Sequence, residues 1–144
     1  QGEVITVADV EACIKKAGIA PISEGNAVLF HTGWGQYYNT DKAKYNAGEP
    51  GIGIEVARYV ADKNVSILCA DTWAVDVIPG ENKDFAFEIH NFNQTVNGIW
   101  YIENLNNEVM AQMAKDGVYE FLFIFVPVPL AGATGSPGDV VAVQ

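Results

Sequence analysis

Two side chains stand out for the chemistry they could do. His90 is one of only two histidines in 144 residues, and Glu103 follows thirteen positions later, inside the largely apolar Trp100-Tyr101-Ile102-Glu103-Asn104-Leu105. A charge among apolar residues is costly unless it has a partner or a task. Between them lies Asn97-Gly98, a turn signal. A helix carrying His90 and ending at that turn lets the chain fold back and bring Glu103 to the imidazole. A neutral imidazole beside a carboxylate can bind a metal or move protons. A core histidine with a buried ion pair accounts for the same two residues, and spacing alone leaves both readings open. Catalytic zinc sites use about three protein ligands. This segment offers two, so a complete metal site needs Asp71, Asp76, a partner chain or further sequence.

Other candidates sit where strands end. His31-Thr32-Gly33-Trp34-Gly35 follows one apolar run and Asp71-Thr72-Trp73 follows another. In open α/β sheets, ligands gather beyond the carboxyl ends of strands. Trp34 and Trp73 are therefore read either as walls of a substrate pocket or as cover for the edge of the core. Asp71 and Asp76 are possible catalytic carboxylates. Asp71 reads better as an acceptor for backbone N–H groups in a turn, and His31 reads as a structural histidine. The loop from Gly132 to Gly138 lacks the Lys-Ser/Thr ending of a phosphate-binding loop and leads into a strand, which disfavours a nucleotide-binding domain. It suits a close backbone approach to a ligand or a neighbouring chain.

The elements that must position these residues alternate along the chain. Thr6 and Asp9 form a capping-box variant, and Val10, Cys13, Ile14 and Ala17 give one apolar helical face that Gly18 stops. Ala27 to Phe30 predicts a short buried strand. Thr32 to Gly53 reads as a long loop, and loops of that length in a domain tend to be functional. A helix is expected from Ile54 to Lys63, a buried strand from Val65 to Ala70, a helix from Phe85 to Asn97, and another through Val109, Met110, Met113 and Ala114 up to Gly117. Phe121 to Val128, apolar at every position, predicts a strand covered on both faces, and Val140 to Val143 a last strand. Helices alternating with buried strands indicate a single α/β domain over residues 1–144 with a mixed sheet.

Composition narrows the function classes. Apolar residues make up 49% and charged residues 18%, which is globular material. The formal net charge of −10 argues against a nucleic-acid surface or a polybasic membrane contact. The longest apolar run contains Pro127 and is too short to span a bilayer. Cys13 and Cys69 have no metal or redox spacing and read as two reduced, buried thiols, in keeping with a cytoplasmic setting. Gln1 is not a start methionine, and the chain reads as part of a longer protein.

Several blocks together resemble the cyclase family of metal-dependent hydrolases, which includes bacterial kynurenine formamidase and isatin hydrolase. They are Val28-Leu29-Phe30-His31-Thr32-Gly33-Trp34, Pro50-Gly51-Ile52, Ala70-Asp71-Thr72-Trp73, His90 with Asn97-Gly98 and Ile102-Glu103-Asn104-Leu105, and Gly132-Ala133-Thr134-Gly135-Ser136-Pro137. The resemblance implies a swivelling β/β/α fold and hydrolysis of an amide, lactam or ester bond by water activated on zinc or manganese. N-formylkynurenine or a related aryl amide is the implied substrate, and tryptophan catabolism the implied setting.

One departure is large. The family's main His-x-Gly-Thr-His-x-Asp metal motif has no match in these residues. By the resemblance, His90 and Glu103 correspond to the family's later histidine and glutamate, which complete the metal site or act as acid and base. Trp34 and Trp73 fall in pocket-lining stretches, and Gly53 replaces a small capping residue. The expectation is a C-terminal portion of such a hydrolase, incomplete at its N-terminus and impaired as a catalyst by itself. It would take a small-molecule substrate, bind neither nucleic acid nor membrane, and self-associate as a homo-oligomer through an unpaired sheet edge. The alternative is a truncated, non-catalytic small-molecule-binding or assembly module of the same fold.

Overall fold

The computed structural model describes residues 1–144. Its centre is a three-stranded parallel sheet in the order β2-β4-β5, formed by Ala27–Phe30 (β2), Ile67–Ala70 (β4) and Trp100–Ile102 (β5). Leu68, Cys69 and Ala70 of the middle strand are buried, as a parallel strand covered on both faces requires. All three strands point their carboxyl ends the same way, so the segments after Phe30, Ala70 and Ile102 emerge along one edge.

Helices built by local signals cover this sheet. Val7–Ala17 (α1) starts at a full capping box: Asp9 N donates to Thr6 Oγ1 (3.2 Å) and Thr6 N donates to Asp9 Oδ2 (2.9 Å). It ends at Gly18 in the left-handed conformation, as expected. Ile54–Asp62 (α4) lays Val56, Ala57 and Val60 into the core against Ile52 and Leu68. Each large aliphatic side chain buried in this way contributes about 1.5–3 kcal/mol. Gly53, the N-cap of α4, has no side chain to offer, and Glu81 supplies the acceptor instead, taking the N–H of Ile54 at 2.8 Å. Asn107–Lys115 (α6) is capped by Asn106, whose Oδ1 accepts from Glu108 and Val109.

Four expectations change. The stretch from Thr32 to Gly53 is not a structureless loop. It holds a 3₁₀ turn at Trp34–Gln36, two short helices, Tyr37–Thr40 (α2) and Lys42–Asn46 (α3), and the strand Gly51–Ile52 (β3), which pairs in parallel with Val4–Ile5 (β1). Asp41 terminates α2 and caps α3 through the N–H of Lys44, a hydrogen bond that interrupts any longer periodicity. The helix expected from Phe85 begins three residues later as Glu88–His90 (α5) and continues as a π-helix over Asn91–Val96. Phe87 stands at φ +56°, outside the helical region, and cannot extend it.

The apolar run near the C-terminus is the third change. Leu122–Pro127 (β6) pairs only with Gly138–Val143 (β7), as an antiparallel two-stranded arm. Leu122, Ile124, Val126, Val141 and Val143 are exposed, so an all-apolar strand here is not a covered one. Parallel and antiparallel pairing thus both occur, in separate sheets. Finally, Cys13 is exposed while Cys69 is buried, because α1 turns only the Val10, Ile14 and Ala17 side of its face inward. No helix is long and apolar enough to cross a membrane.

Candidate functional site

The helix-borne His90 and the returning strand meet as the Asn97-Gly98 turn requires. Gly98 sits at φ +68°, the turn reverses the chain, and β5 delivers Glu103 beyond its carboxyl end. Glu103 Oε1 lies 3.1 Å from Nε2 of His90. On the other side of the ring, Nδ1–H donates to Oδ2 of Asp76 at 2.8 Å, and the backbone N–H of His90 donates to the same oxygen at 3.0 Å. The imidazole therefore lies between two carboxylates.

Electrostatics follow from that placement. Burial by itself would push the His90 imidazole down, towards the neutral form. Hydrogen bonds to Asp76 and Glu103, with the charges of both, outweigh it and raise the pKa from 6.5 to about 9. A pKa raised in this way leaves a proton on each ring nitrogen at neutral pH, one facing Asp76 and the other Glu103.

Aromatic rings flank the imidazole. Phe87 and Tyr101 meet it edge-on, with ring centroids 5.2 and 4.7 Å away, and Trp73 meets Phe87 at 6.3 Å. An open cleft of about 330 Å³ runs over Phe85, Phe87, His90, Asn91 and Gln94. A second, of about 240 Å³, shares Phe85 and Phe87 with the first and reaches Trp73, Asp76 and Ile78. These volumes are near the lower end of small-molecule sites.

A backbone lattice holds the edge of the sheet in place. Glu49 is fully buried, and its two carboxylate oxygens accept the N–H groups of Trp73 and Ala74 at 2.9 and 2.7 Å. Burial, helped by the charges of Glu103 and Asp71 and opposed by those two N–H groups, raises its pKa to about 8. The carbonyl of Tyr45 accepts both indole N–H groups, from Trp73 at 3.2 Å and from Trp34 at 3.4 Å. The Tyr45 hydroxyl donates to Asn104 Oδ1 at 2.5 Å, and Asn104 N donates to the Thr72 carbonyl at 2.8 Å. Glu103 is thereby fixed relative to the Thr72–Asp76 segment.

The other sequence candidates take structural places. Asp71 accepts Thr32 N and Thr32 Oγ1 at 2.8 Å and Gly35 N at 3.1 Å, so its oxygens are engaged by the turn after β2. Exposed His31 pairs through Nε2 with Asn107 Oδ1 at 3.0 Å. Trp73 reaches the smaller cleft, but Trp34 lines neither cleft beside His90; its ring packs edge-on against Tyr37. Of the two tryptophans, Trp73 alone lines a cleft next to His90, together with Phe85 and Phe87. These phenylalanines, Tyr101 and Glu49 escaped the sequence reading. Only Tyr101 carried a usable signal, since it precedes Glu103 by two positions, the spacing that puts side chains on one face of a strand.

No three His, Cys, Asp or Glu side chains converge to hold a metal ion. His90 already turns each ring nitrogen to a carboxylate. His90 and Glu103, the two possible donors that the sequence offered, fall short of the three that a catalytic zinc site uses.

With this geometry established, three solved structures are similar to the chain. The crystal structure of a novel cyclase is 24% identical, with a TM-score of 0.79 over 100% of this chain and 48% of its own. Isatin hydrolase A from Ralstonia solanacearum is 23% identical, with a TM-score of 0.81 over 100% of this chain and 54% of its own. An isatin hydrolase bound to the product analogue thioisatinate is 20% identical, with a TM-score of 0.76 over 96% and 52%. At these identities the likeness establishes the fold, and the chain spans about half the length of the structures it matches. No curated protein matches the sequence. The model of the cyclase family matches residues 1–77, the stretch that carries β1 to β4 and runs through Asp71 to Asp76. The chain belongs to the cyclase family.

Proposed function

We propose that this chain handles protons for the hydrolysis of a small aryl amide, lactam or ester. The observation that carries the reading is the His90 imidazolium, held between Asp76 and Glu103 beside an aromatic cleft. Breaking an amide or lactam needs a proton delivered to the departing nitrogen, and Nε2 of His90 carries one at neutral pH. Glu103, facing Nε2, accepts the proton released as water adds to the carbonyl and passes it to the ring. Phe85, Phe87 and Trp73 offer flat apolar surface to an aryl group. Arylformamidase-like and isatin-like substrates both have this shape, and both are neutral, so the acidic surface does not repel them.

Zinc or manganese, proposed with the family, would take the Nε2 lone pair of His90 in place of its proton, together with Glu103 and donors besides them, so ligation and proton delivery by His90 are alternative roles. Turnover by this chain alone is therefore proposed to be slow. A cytoplasmic setting is proposed on its two free thiols, and a homo-oligomer on the exposed apolar face of the β6–β7 arm. The second reading is a binding module that uses the cleft without catalysis, which the Phe85 and Phe87 rings lining both openings would serve.

The experiment compares the chain with its His90→Ala and His31→Ala variants. Hydrolysis of isatin and N-formylkynurenine is followed with and without added zinc or manganese, and binding of thioisatinate by tryptophan fluorescence. Turnover that disappears in His90→Ala and survives in His31→Ala supports the enzyme. Binding with no turnover in any sample supports the binding module. Turnover indifferent to His90→Ala overturns the role given to the imidazole.

A further inference from the structure

The segment between Pro79 and α5 is a strap held to the body at its two ends. Every residue from 81 to 87 is exposed, and no backbone hydrogen bond ties residues 79 to 86 to the rest of the fold. Glu81 fixes the near end. Its carboxylate accepts the N–H of Ile54 at the start of α4, where the helix dipole also favours a negative charge. Gly53 leaves the room for it, since a Cβ there would come 2.6 Å from Glu81 Oε2. Rings hold the far end, where Phe87 meets both Trp73 and His90 edge-on. Between these points Asp84 N donates to Asn82 Oδ1 at 3.0 Å, a bond that shapes the bend without attaching it to the body.

Phe85 sits on the untied part. It is 49% exposed, yet it lines both clefts. The wall facing it across the smaller cleft is fixed: Val77 and Ile89 are buried, and Trp73 is hydrogen-bonded through its backbone to Glu49 and through its indole to the Tyr45 carbonyl. The cleft thus has one rigid side and one loosely held side. A segment with few buried contacts and few hydrogen bonds opens at small free-energy cost. A ligand shifts such an equilibrium by as much as it prefers one state. An aryl ring against Trp73 prefers the state in which Phe85 covers its free face, because both apolar surfaces then leave water.

We propose that residues 82–86 form a cover that closes on a bound aryl group, with Phe85 as the ring that seats against it; this rests on the aryl reading of the cleft given above and deepens it. Glu81 and Phe87 are the fixed points about which the cover moves. Closure takes the half-exposed Phe85 ring and the outer face of the ligand out of water together. It also screens the cleft beside His90 from bulk solvent, as closing loops do at other small-molecule sites.

Amide hydrogen exchange of the full chain, read by mass spectrometry with and without saturating thioisatinate, tests the cover. In the free chain residues 82–86 are expected to exchange nearly as fast as unstructured peptide, while α4 stays protected. Thioisatinate is expected to slow exchange over 82–86 by about tenfold or more and to leave the β6–β7 arm unchanged. Phe85→Ala, at a half-exposed ring, is expected to fold, to bind thioisatinate about two- to tenfold more weakly, and to lose most of that protection even at saturation. Thioisatinate that binds, by tryptophan fluorescence, while the strap exchanges as before overturns the cover and leaves the aryl cleft standing. Slowing no greater over 82–86 than in α4 and the arm reports general stabilisation and overturns it too. So does a strap already protected in the free chain, or protection undiminished in Phe85→Ala. A wild-type chain that does not bind thioisatinate removes the aryl reading of the cleft, and the closure with it.

Discussion

Gly51 lies so close to Asp76 that a Cβ added to it would come 2.5 Å from the Asp76 carbonyl oxygen and 2.5 Å from the nitrogen of Val77. Both atoms are backbone, so neither can swing aside. The contact sets the strand β3 against the segment that carries the carboxylate under His90. Gly51→Ala is expected to destabilise the fold by about 1–3 kcal/mol, the usual cost of overpacking. It should also loosen the Asp76–His90 pair. Urea denaturation measures the first effect and the His90 imidazole resonances the second. A variant as stable as the wild type would show that β3 and the Asp76 segment are less tightly seated.

The site was legible in the sequence where local signals set it. A histidine, an Asn-Gly turn and a returning apolar strand are enough to predict that Glu103 reaches His90, and the two lie 3.1 Å apart. The capping box at Thr6 and the apolar faces of α1 and α4 were readable for the same reason: they depend on residues three or four apart. What escaped depends on distant partners. Asp76 is among the candidate carboxylates of the sequence, but its pairing with His90 depends on the bridge to Ile52, and Glu49, which no local signal marks, reaches Trp73 and Ala74 across more than twenty positions. The β6 run failed differently. An apolar composition on both faces reads as burial, yet here it belongs to a two-stranded arm whose outer face stays open.

Stability should fall as pH rises. The folded chain keeps the Glu49 proton to about pH 8, whereas an ordinary glutamate loses it near 4.5. Between those values the fold binds more protons than the unfolded chain, so its stability declines across the window. His90 acts in the same direction, since its stabilising charge is complete below 6.5 and is lost as pH rises through about 9. Urea denaturation in a chelating buffer from pH 4.5 to pH 9 is expected to show a steady decline. Glu49→Gln should flatten the part below pH 8, while setting an amide NH₂ against a backbone N–H at a cost of about 1–3 kcal/mol. A profile that rises with pH would contradict both assignments.

The two cysteines should differ in reactivity. Cys13 is exposed on α1, while Cys69 is buried in the central strand with its thiol pushed up to about 12 by burial. Thiolate is the reactive form, so Cys69 is protected by access and by protonation alike. A chromogenic disulfide reagent is expected to titrate one thiol in the native chain and two in denaturant. Two fast thiols in the native chain would mean that β4 is not closed in.

The proposed self-association has one apolar stripe to use. The pairs Leu122 with Val143 and Ile124 with Val141 place four exposed aliphatic side chains on one face of the arm. Asp139, opposite Val126, is the only charged residue between Phe121 and Gln144. The net charge of −10 therefore repels little at this surface. Sedimentation velocity is expected to show a species heavier than the monomer, lost in an Ile124→Lys, Val141→Lys variant. A wild-type chain that sediments as a monomer would remove the proposal.

Phe87 separates what the fold wants from what the cleft wants. Its φ of +56° is a conformation that costs a bulky L-residue about 1–2 kcal/mol. The residue is 46% exposed, so little burial offsets that strain. Yet it is the ring that meets both His90 and Trp73. Phe87→Gly relieves the strain and Phe87→Ala does not, while both remove the ring. Thermal denaturation is expected to place the glycine variant above the alanine variant by about 1 kcal/mol, close to the wild type, since glycine's added chain entropy offsets part of the gain. Binding of thioisatinate, followed by tryptophan fluorescence, should weaken by up to about tenfold in both, as befits one aromatic contact of roughly 0.5–1.5 kcal/mol. Equal binding with and without the ring would show that the aryl group sits elsewhere, and would move the proposed pocket away from His90.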